Sequence, residues 1–366
     1  MKGLIARGLF AGTIFGGATL GLVLPAAAQT DVFQGSVPAG QATQGTLRLS
    51  LQEAIARGLQ NNLGVLERIN SSSSARADRL RALSELLPNV TGSASETASQ
   101  VDLATFGFRF PGFPQIIGPF GYTDVRAYTT ATLFDWEKRK QLQSANQNIR
   151  AAELSYQDAR DLVVQAVASS YLQIIAGAAL VDGTRAQVAT AQALYERARD
   201  QHAAGVSPAI DELRAQVELK TQQQLLVAEE NQLAKDKLTL ARVIGLPAGQ
   251  AFEISDTAPY APLEALTQEQ ALQRAYASRA DYQSLRVQVE AAETDRQAVE
   301  ARRYPTLELN GNYGDTGVNL AQSHGTFTVT GSLKFIIFDS GRRRADADQS
   351  DVVLKQRKQE LADLQG

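Results

Sequence analysis

The clearest alternation of apolar and polar positions lies in residues 326–337. The apolar positions of this stretch are Phe327, Val329, Gly331, Leu333, Phe335 and Ile337. The polar positions between them are Thr326, Thr328, Thr330, Ser332 and Lys334. Because successive side chains point to opposite faces of a β-strand, this pattern predicts a strand with one apolar face and one polar face.

The predicted strand runs directly into a helical pattern. Asp339 and Ser340 follow it, and their side-chain oxygens can accept hydrogen bonds from the first free amides of a helix. A second copy of the transition lies in residues 122–140, where Phe134-Asp135 matches Phe338-Asp339 at an offset of 204 residues. The sequence therefore predicts the same strand-to-helix step twice, with Asp135 and Asp339 as the two helix caps.

Residues 136–246 have the pattern of two long helices that form an antiparallel hairpin. The stretch from Trp136 to about Ala203 contains no proline. Its heptad positions are Ile149, Tyr156 and Val163, interleaved with Ala152, Ala159 and Ala166. The second helix repeats leucine every seven residues, at Leu219, Leu226, Leu233 and Leu240. Heptads over such a length predict a coiled coil. In the turn at 203–211, Ser207 and Pro208 suit a cap and a first helical position.

The chain then begins again. Ser50 and Glu53 form a capping box, and Thr267 opens a similar segment 217 residues later. The sequence thus predicts repeat 1 over 49–247, a linker over 248–266 and repeat 2 over 267–366. Each repeat carries two strands, at 89–103 and 122–134 and then from Thr306 and from Thr326, separated by loops at 104–121 and 314–325. Compared with repeat 1, repeat 2 lacks about 85 residues, so we expect a C-terminally truncated sequence without the second helical hairpin.

The N-terminus resembles an export signal. Lys2 and Arg7 precede an apolar segment, and residues 25–28 provide an A-x-A cleavage site, so residues 1–28 are predicted to be a signal peptide. A retained membrane anchor is the alternative. Residues 29–48 are rich in Gly, Gln, Ser and Thr and are predicted to be irregular.

Composition excludes several classes of function. The net charge is −3, so no bulk attraction to nucleic acid is expected. Cysteine is absent, which excludes disulfides, thiolate metal sites and a lipoprotein anchor. We find no paired acid and base and no activated nucleophile, so we expect neither an enzyme nor a cofactor. His202 and His324 are far apart in the sequence, so we do not expect them to form a metal site. The spacing of Asp346, Asp348 and Ser350 is similar to that of a calcium loop, but the glycine that such a loop needs is absent, so a solvated helix face is the simpler interpretation of these residues.

The strands predict a membrane barrel shared between chains. No second apolar run of about 18 residues is expected, so no helix should span a membrane. Four strands cannot close a barrel, and an open sheet edge in lipid leaves unpaired backbone groups. Three protomers would supply twelve strands. The predicted fold class is an α+β membrane protein, with long coiled-coil hairpins and four β-strands per protomer in a barrel shared by several protomers, which would be a trimeric 12-stranded barrel if three protomers share it.

The order of these elements resembles the TolC-like outer-membrane efflux family (the outer membrane factors). The resemblance rests on the capped helix, the Leu-Pro or Tyr-Pro strand start, the F-D-x-x-x-R step and the G-x-S-x-x-x-D hairpin turn, and it covers residues 49–366. It implies a homotrimer in the outer membrane with a helical tunnel in the periplasm. It also implies docking to a periplasmic adaptor and an inner-membrane pump.

The resemblance assigns adaptor contact to the hairpin tip, at Gly205, Val206, Ser207, Pro208 and Asp211. Asp211 resembles a tip carboxylate that holds neighbouring hairpins together; the alternative is a first-turn Asp favoured by the helix dipole. The polar strand positions listed above would face the lumen, and the apolar ones would face lipid.

Three further points stay open at the sequence level. The phenylalanines of 104–121 suit either a membrane interface or a self-packed loop. The basic clusters 138–140 and 342–344 suit either a rim at the membrane edge or ordinary helix-surface charge. The function suits an exit duct of a tripartite efflux system, with type I protein secretion and a periplasmic coiled-coil scaffold as alternatives.

Overall fold

The computed structural model describes residue 33 and residues 35–107, 112, 114–257 and 266–366. The predicted signal peptide at 1–28 lies outside the described residues, as do parts of the phenylalanine-rich loop and of the linker.

Six strands and seven α-helices follow one another along the described chain. The strands are β1 (Leu47–Leu49), β2 (Asn89–Asp102), β3 (Ile116–Phe134), β4 (Phe252–Ile254), β5 (Thr306–Gly317) and β6 (Ser323–Lys334). The helices are α1 (Leu51–Asn61), α2 (Leu63–Ser84), α3 (Trp136–Ala203), α4 (Ala209–Ile244), α5 (Gln268–Ser278), α6 (Ala280–Ala301) and α7 (Arg342–Gln365).

The four long strands form one antiparallel sheet, and four helices continue it. The strand order is β2-β3-β5-β6. Helix α2 leads into β2, β3 leads into α3, α6 leads into β5, and β6 leads into α7. The helices pack side by side in the same order, α2 on α3, α3 on α6 and α6 on α7. The four long strands thus form one layer, and helices α2, α3, α6 and α7 form a second layer that continues it, which we call the helical layer.

The buried core lies in the helical half, where α1, α3 and α4 meet the short parallel pair of β1 and β4. Its buried members are Leu49, Ala54, Val65, Ala159, Val163, Val167, Tyr171, Ile174, Leu240, Val243, Ile244, Leu246 and Phe252. The Tyr171 hydroxyl donates a 2.9 Å hydrogen bond to the Leu49 carbonyl. Both predicted capping boxes are present, at Ser50–Glu53 and Thr267–Gln270.

The predicted heptads form the packed side of the helical hairpin. Val163 and Ala159 are buried and the other four α3 heptad positions are half-buried. On α4, Leu219 and Leu240 are buried, while Leu226 and Leu233 are half-buried. The prediction of a close-packed hairpin from Trp136 to about residue 246 is therefore confirmed.

Several predicted boundaries were wrong. Strand β3 begins at Ile116, inside the predicted loop, because residues 116–120 pair with the end of β2. Pro119 is tolerated there because β3 pairs with β5 only from Thr123 onward, so no second neighbour needs its missing amide proton. Strands β5 and β6 likewise extend to Gly317 and from Ser323, so their connection is shorter than the predicted loop.

The end of β6 also differs from the prediction. The strand stops at Lys334, so Phe335 and Ile337 lie beyond it. Helix α7 starts at Arg342, not at Asp339. The physical reason is the backbone of Ser340 and Gly341, which have φ values of 54° and 87°, a left-handed conformation that no right-handed helix contains.

The expectation that the chain has no second apolar run of about 18 residues was wrong, whereas the expectation that no helix spans a membrane stays a prediction. Within the described residues, one window of α3 is long and apolar enough to cross a membrane by composition alone. The same helix places Val163, Val167 and Tyr171 in the core. Length and apolar composition do not distinguish a core helix from a membrane-spanning one. This segment of α3 is therefore weak support for a membrane helix.

Candidate functional site: a two-faced sheet and a helical hairpin

The register of the sheet brings polar side chains of all four strands to one side. Residues paired directly across antiparallel strands share a face. Thr328 pairs with Asn312, Asn312 with Tyr128, and Tyr128 with Thr91. We call this side the polar face, and its members are Asn89, Thr91, Ser93, Ser95, Asp124, Arg126, Tyr128, Thr130, Thr132, Thr306, Glu308, Asn310, Asn312, Thr316, His324, Thr326, Thr328, Thr330, Ser332 and Lys334.

The described charges of the polar face are paired with one another. The Arg126 guanidinium lies 3.2 Å from the Asp124 carboxylate and donates hydrogen bonds to Asn312 Oδ1 at 2.6 Å and Thr326 Oγ1 at 2.8 Å. Lys334 Nζ lies 2.6 Å from the Glu308 carboxylate. Arg126 therefore links β3, β5 and β6, and its side chain is only 12% exposed. The polar face therefore presents hydrogen-bonding groups that suit contact with water, and it carries little net charge.

Sequence reasoning missed Arg126, Asp124 and Glu308. The alternation in residues 122–134 signals which positions share a face within one strand. It does not show which strand lies next to it, and the partners Asn312 and Thr326 come from β5 and β6.

The opposite side of the sheet is mostly apolar and uncovered, and its carboxylates, Glu96 and Asp315, lie near the end where β5 and β6 connect. Phe327 pairs with Tyr313, Val329 with Gly311, and Leu333 with Leu307. We call this side the apolar face. Phe327, Val329 and Leu333 are 74%, 65% and 63% exposed in the single chain. Removing one side chain of this kind from water stabilises the protein by roughly 1.5–3 kcal/mol. An apolar environment on this side would therefore stabilise the sheet.

The two outer strands leave unpaired backbone groups. Strand β2 pairs only with β3, and β6 pairs only with β5, within the part of the chain that the structure describes. An open edge in a lipid environment costs several kcal/mol per unsatisfied group. Both edges of the sheet are therefore open to pairing with further strands.

The two strand-to-helix steps are organised differently. Asp135 is buried at the N-cap of α3, and its carboxylate accepts a hydrogen bond of 3.1 Å from the Lys138 amide. Asp339 lies in the turn before α7, where it accepts from the Arg343 amide at 3.2 Å and from its guanidinium at 2.7 Å. The hydrogen bond from the Arg343 side chain holds the pKa of Asp339 below its usual value.

Ion pairs also join the helices just below the sheet. Arg302, the residue that follows α6, contacts Glu137 of α3 at 2.7 Å and also pairs with Asp346 of α7. One cation thus connects three of the four helices of the helical layer. The solvated-face interpretation of Asp346 is incomplete, because this carboxylate holds α7 against α6.

The hairpin tip is an exposed turn that carries an exposed apolar side chain. Gly205 has φ +72°, and no other atom lies within 4 Å of the position that a Cβ would take. Val206 is 77% exposed. Pro208, rather than Ser207, occupies the N-cap of α4 and provides no side-chain cap, and the buried Ser207 hydroxyl has no partner among the described atoms. Ser207 as a helix cap was therefore a wrong prediction.

Asp211 lies in the first turn of α4. Its carboxylate is 3.8 Å from the Arg214 guanidinium on the same helix, an exposed pair. Such pairs contribute about 0–1 kcal/mol, so Asp211 stays available to a second contact. Near it, Ile210, Leu213 and Val217 form an exposed apolar stripe.

The described residues contain no group of three or more His, Asp or Glu side chains that could hold a metal ion. The two histidines lie in different places, His202 at the end of α3 and His324 in β6.

Comparisons with known proteins agree with this arrangement. A sequence profile described as outer membrane efflux protein matches residues 54–246 and 271–365. The pyoverdine export outer membrane protein OpmQ of Pseudomonas aeruginosa is 27% identical over 211 residues, which cover 57% of this chain and 44% of OpmQ. The matched part thus spans less than half the length of that relative.

Solved structures share the fold. The outer membrane protein VceC of Vibrio cholerae superposes with a TM-score of 0.74 at 17% identity, covering 86% of this chain and 75% of VceC. The CmeC outer membrane channel of Campylobacter jejuni gives a TM-score of 0.74 at 14% identity, covering 91% of this chain and 73% of CmeC. Because the family profile matches both repeats and more than half of the chain, this protein belongs to the outer membrane efflux protein family, the TolC-like family that the sequence predicted, and it resides in the outer membrane with its helices in the periplasm.

Proposed function

We propose that three copies of this chain form an exit duct, in which twelve strands close a barrel in the outer membrane and the helices continue it as a periplasmic tunnel. One observation carries the proposal: an antiparallel sheet with two unpaired edges and two faces of opposite polarity continues strand by strand into a layer of helices. Closure joins the edges, turns the apolar face to lipid and turns the polar face to water.

The proposal assigns a role to each face. Phe327, Val329 and Leu333 contact lipid, and Thr326, Thr328, Thr330, Ser332 and Lys334 line the lumen. Phe335 and Ile337 follow the strand end and remain exposed, so they lie where the barrel leaves the membrane.

The export of small molecules is the cargo class best supported. OpmQ is named for pyoverdine export, and its matched region is 27% identical to this chain. Type I protein secretion is the second candidate, and its supporting observation is only the shared duct architecture. In either case an adaptor and an inner-membrane pump supply the cargo from the periplasmic side.

The decisive experiment is the native particle mass, measured by light scattering of protein extracted from outer membranes in detergent. A trimer supports the duct. A monomer or dimer that stays in solution without detergent would remove the barrel and leave the periplasmic scaffold.

Adaptor docking through the hairpin tip has its own test. Gly205→Asp adds a charge beside exposed Val206, and we expect adaptor cross-linking to fall at least several-fold while the trimer persists. Gly205→Asn is the matched control, because Asn tolerates the left-handed backbone about as well as Asp and differs chiefly in charge. Equal cross-linking of the Asp variant and the unmodified protein would argue against docking at this tip.

A further inference from the structure

An exposed arginine is stacked on two aromatic rings at the point where β3 becomes α3. The Arg139 guanidinium carbon lies 5.3 Å from the centre of the Phe134 ring and 5.9 Å from that of Trp136. The two rings contact each other edge to face at 5.5 Å. Trp136 is 42% exposed, and no described carboxylate forms an ion pair with Arg139. The stack is therefore a cation held in place by rings without a charged partner.

The neighbouring contacts show which way this cluster points. Phe134 pairs with Leu307, a member of the apolar face. Lys138, on the other side of α3, reaches Thr132 Oγ1 of the polar face at 3.4 Å. Glu137 points sideways to Arg302 at the end of α6. Trp136 and Arg139 therefore lie on the outward side of α3, directly continuous with the apolar face.

The second repeat provides an internal comparison. At the offset of 204 residues, Arg343 takes the place of Arg139 and Ser340 that of Trp136. The Arg343 guanidinium is 2.7 Å from the Asp339 carboxylate, so its charge is already paired. The corresponding segment of repeat 2 thus has no aromatic–arginine cluster, and its turn differs, since α7 begins only at Arg342.

We infer that Phe134, Trp136 and Arg139 form a binding site for the headgroup of an anionic phospholipid in the periplasmic leaflet of the outer membrane. The inference rests on the proposed function, because it needs the apolar face to be in lipid. Tryptophan settles at the level of lipid headgroups, and a guanidinium binds phosphate through paired donors while stacking on an aromatic face. One such cation near an anionic membrane surface strengthens binding about five-fold.

The chain contains a single tryptophan, so its fluorescence reports directly on the site. The full protein is placed in vesicles that contain either phosphatidylglycerol or phosphatidylcholine with brominated chains, which quench a nearby tryptophan. We expect phosphatidylglycerol to quench Trp136 at a lower mole fraction than phosphatidylcholine. Arg139→Gln should shift the half-quenching fraction of phosphatidylglycerol upward about five-fold and leave that of phosphatidylcholine unchanged.

Arg197→Gln is the matched control, since Arg197 is an exposed arginine of the same helix far from the sheet, and it should retain the preference. Equal quenching of the unmodified protein by the two lipids would overturn the inference without needing any variant, as would a preference retained in Arg139→Gln. Quenching by neither lipid would also overturn the lipid-facing sheet of the proposed function. Failure of the inference alone is thus distinguishable from failure of the duct.

Discussion

A half-buried carboxylate gives the helical layer a pH dependence at the scale of single residues. Burial raises the pKa of Asp158 on α3, and the charge of Asp281 raises it further, while Arg68 and Arg279 only partly oppose these effects. A carboxyl whose folded-state pKa is raised binds more protons in the folded state than in the unfolded state. Its ionisation therefore costs stability, and the cost appears as pH rises from its unfolded-state pKa, about 3.9, through the folded-state pKa.

Asp158→Asn removes that cost. We expect the variant to have a higher midpoint of thermal unfolding than the unmodified protein at pH 7, with the advantage shrinking as the pH falls toward 4. Thermal unfolding in detergent across this range measures it. Asp182→Asn, at an exposed surface ion pair of the same helix, should show little difference at any pH. A constant advantage of Asp158→Asn at every pH would show that its ionisation is not the cause.

The two faces of β6 predict opposite behaviour for adjacent residues. Thr328 lies on the polar face and Val329 on the apolar face. Because the chain has no cysteine, single cysteines can be introduced without background. A water-soluble maleimide should label Thr328→Cys in outer membranes and leave Val329→Cys unmodified, while both react in denaturant. Comparable labelling of the two in membranes would be incompatible with a lipid-covered apolar face.

At the scale of elements, the heptad leucines of α4 are unevenly buried: Leu240 and Leu219 are buried, while the leucines between them are half-buried. Leu240 is fully buried among residues of α1, α3 and α4, whereas Leu226, two heptads nearer the tip, is half-buried. Removing a buried leucine side chain loses its burial free energy and leaves a cavity. A substitution at Leu240 should therefore cost more stability than the same substitution at Leu226.

We expect Leu240→Ala to lower the free energy of unfolding by about 2–5 kcal/mol. Leu226→Ala serves as the matched substitution at the same heptad position and should cost about half as much or less, since less surface is uncovered. Denaturant unfolding followed by helical circular dichroism gives both values. A larger cost at Leu226 would indicate that the outer part of the hairpin is the better packed.

Sequence reasoning succeeded mostly where the signal is local, although the local predictions of caps at Ser207 and Asp339 were wrong. The caps at Ser50 and Thr267, the bounds of α3 and the leucine heptads depend on residues within one or two helical turns of each other, and periodicity records them. It failed where a partner is distant. Pro119 signals a loop when read alone, and only the pairing of β3 with β2 shows that it lies in a strand. The Arg126 cluster was missed for the same reason, because its partners belong to the other repeat.

At the scale of the whole molecule, the two open edges of the sheet predict which strands of neighbouring chains pair. Strands β2 and β6 are separated within one chain by β3 and β5, a distance of about 14 Å at ordinary strand spacing. In a closed ring of identical chains, β2 of each protomer meets β6 of the next, and like edges never meet.

A chain with Ser93→Cys on β2 and Thr328→Cys on β6 should therefore yield covalent trimers with a thiol cross-linker of about 8 Å, seen on a denaturing gel. That linker is too short to join the two positions within one chain. Each single-cysteine variant is the control and should give no cross-linked product. Dimers from the Ser93→Cys variant alone would instead indicate a two-fold contact between like edges.

The pairing of β3 with β5 has a consequence for the order in which the protein is made. Arg126 and Asn312, which meet across these strands, are 186 positions apart in the chain, and the whole helical hairpin is synthesised between them. Contacts of such long sequence separation close slowly, because the intervening chain must lose its freedom first. The β2–β3 ribbon is local and can form early, with its apolar side chains uncovered. Until β5 and β6 are made, the apolar side chains of the β2–β3 ribbon therefore stay uncovered in the periplasm, where they expose the unfinished chain to aggregation.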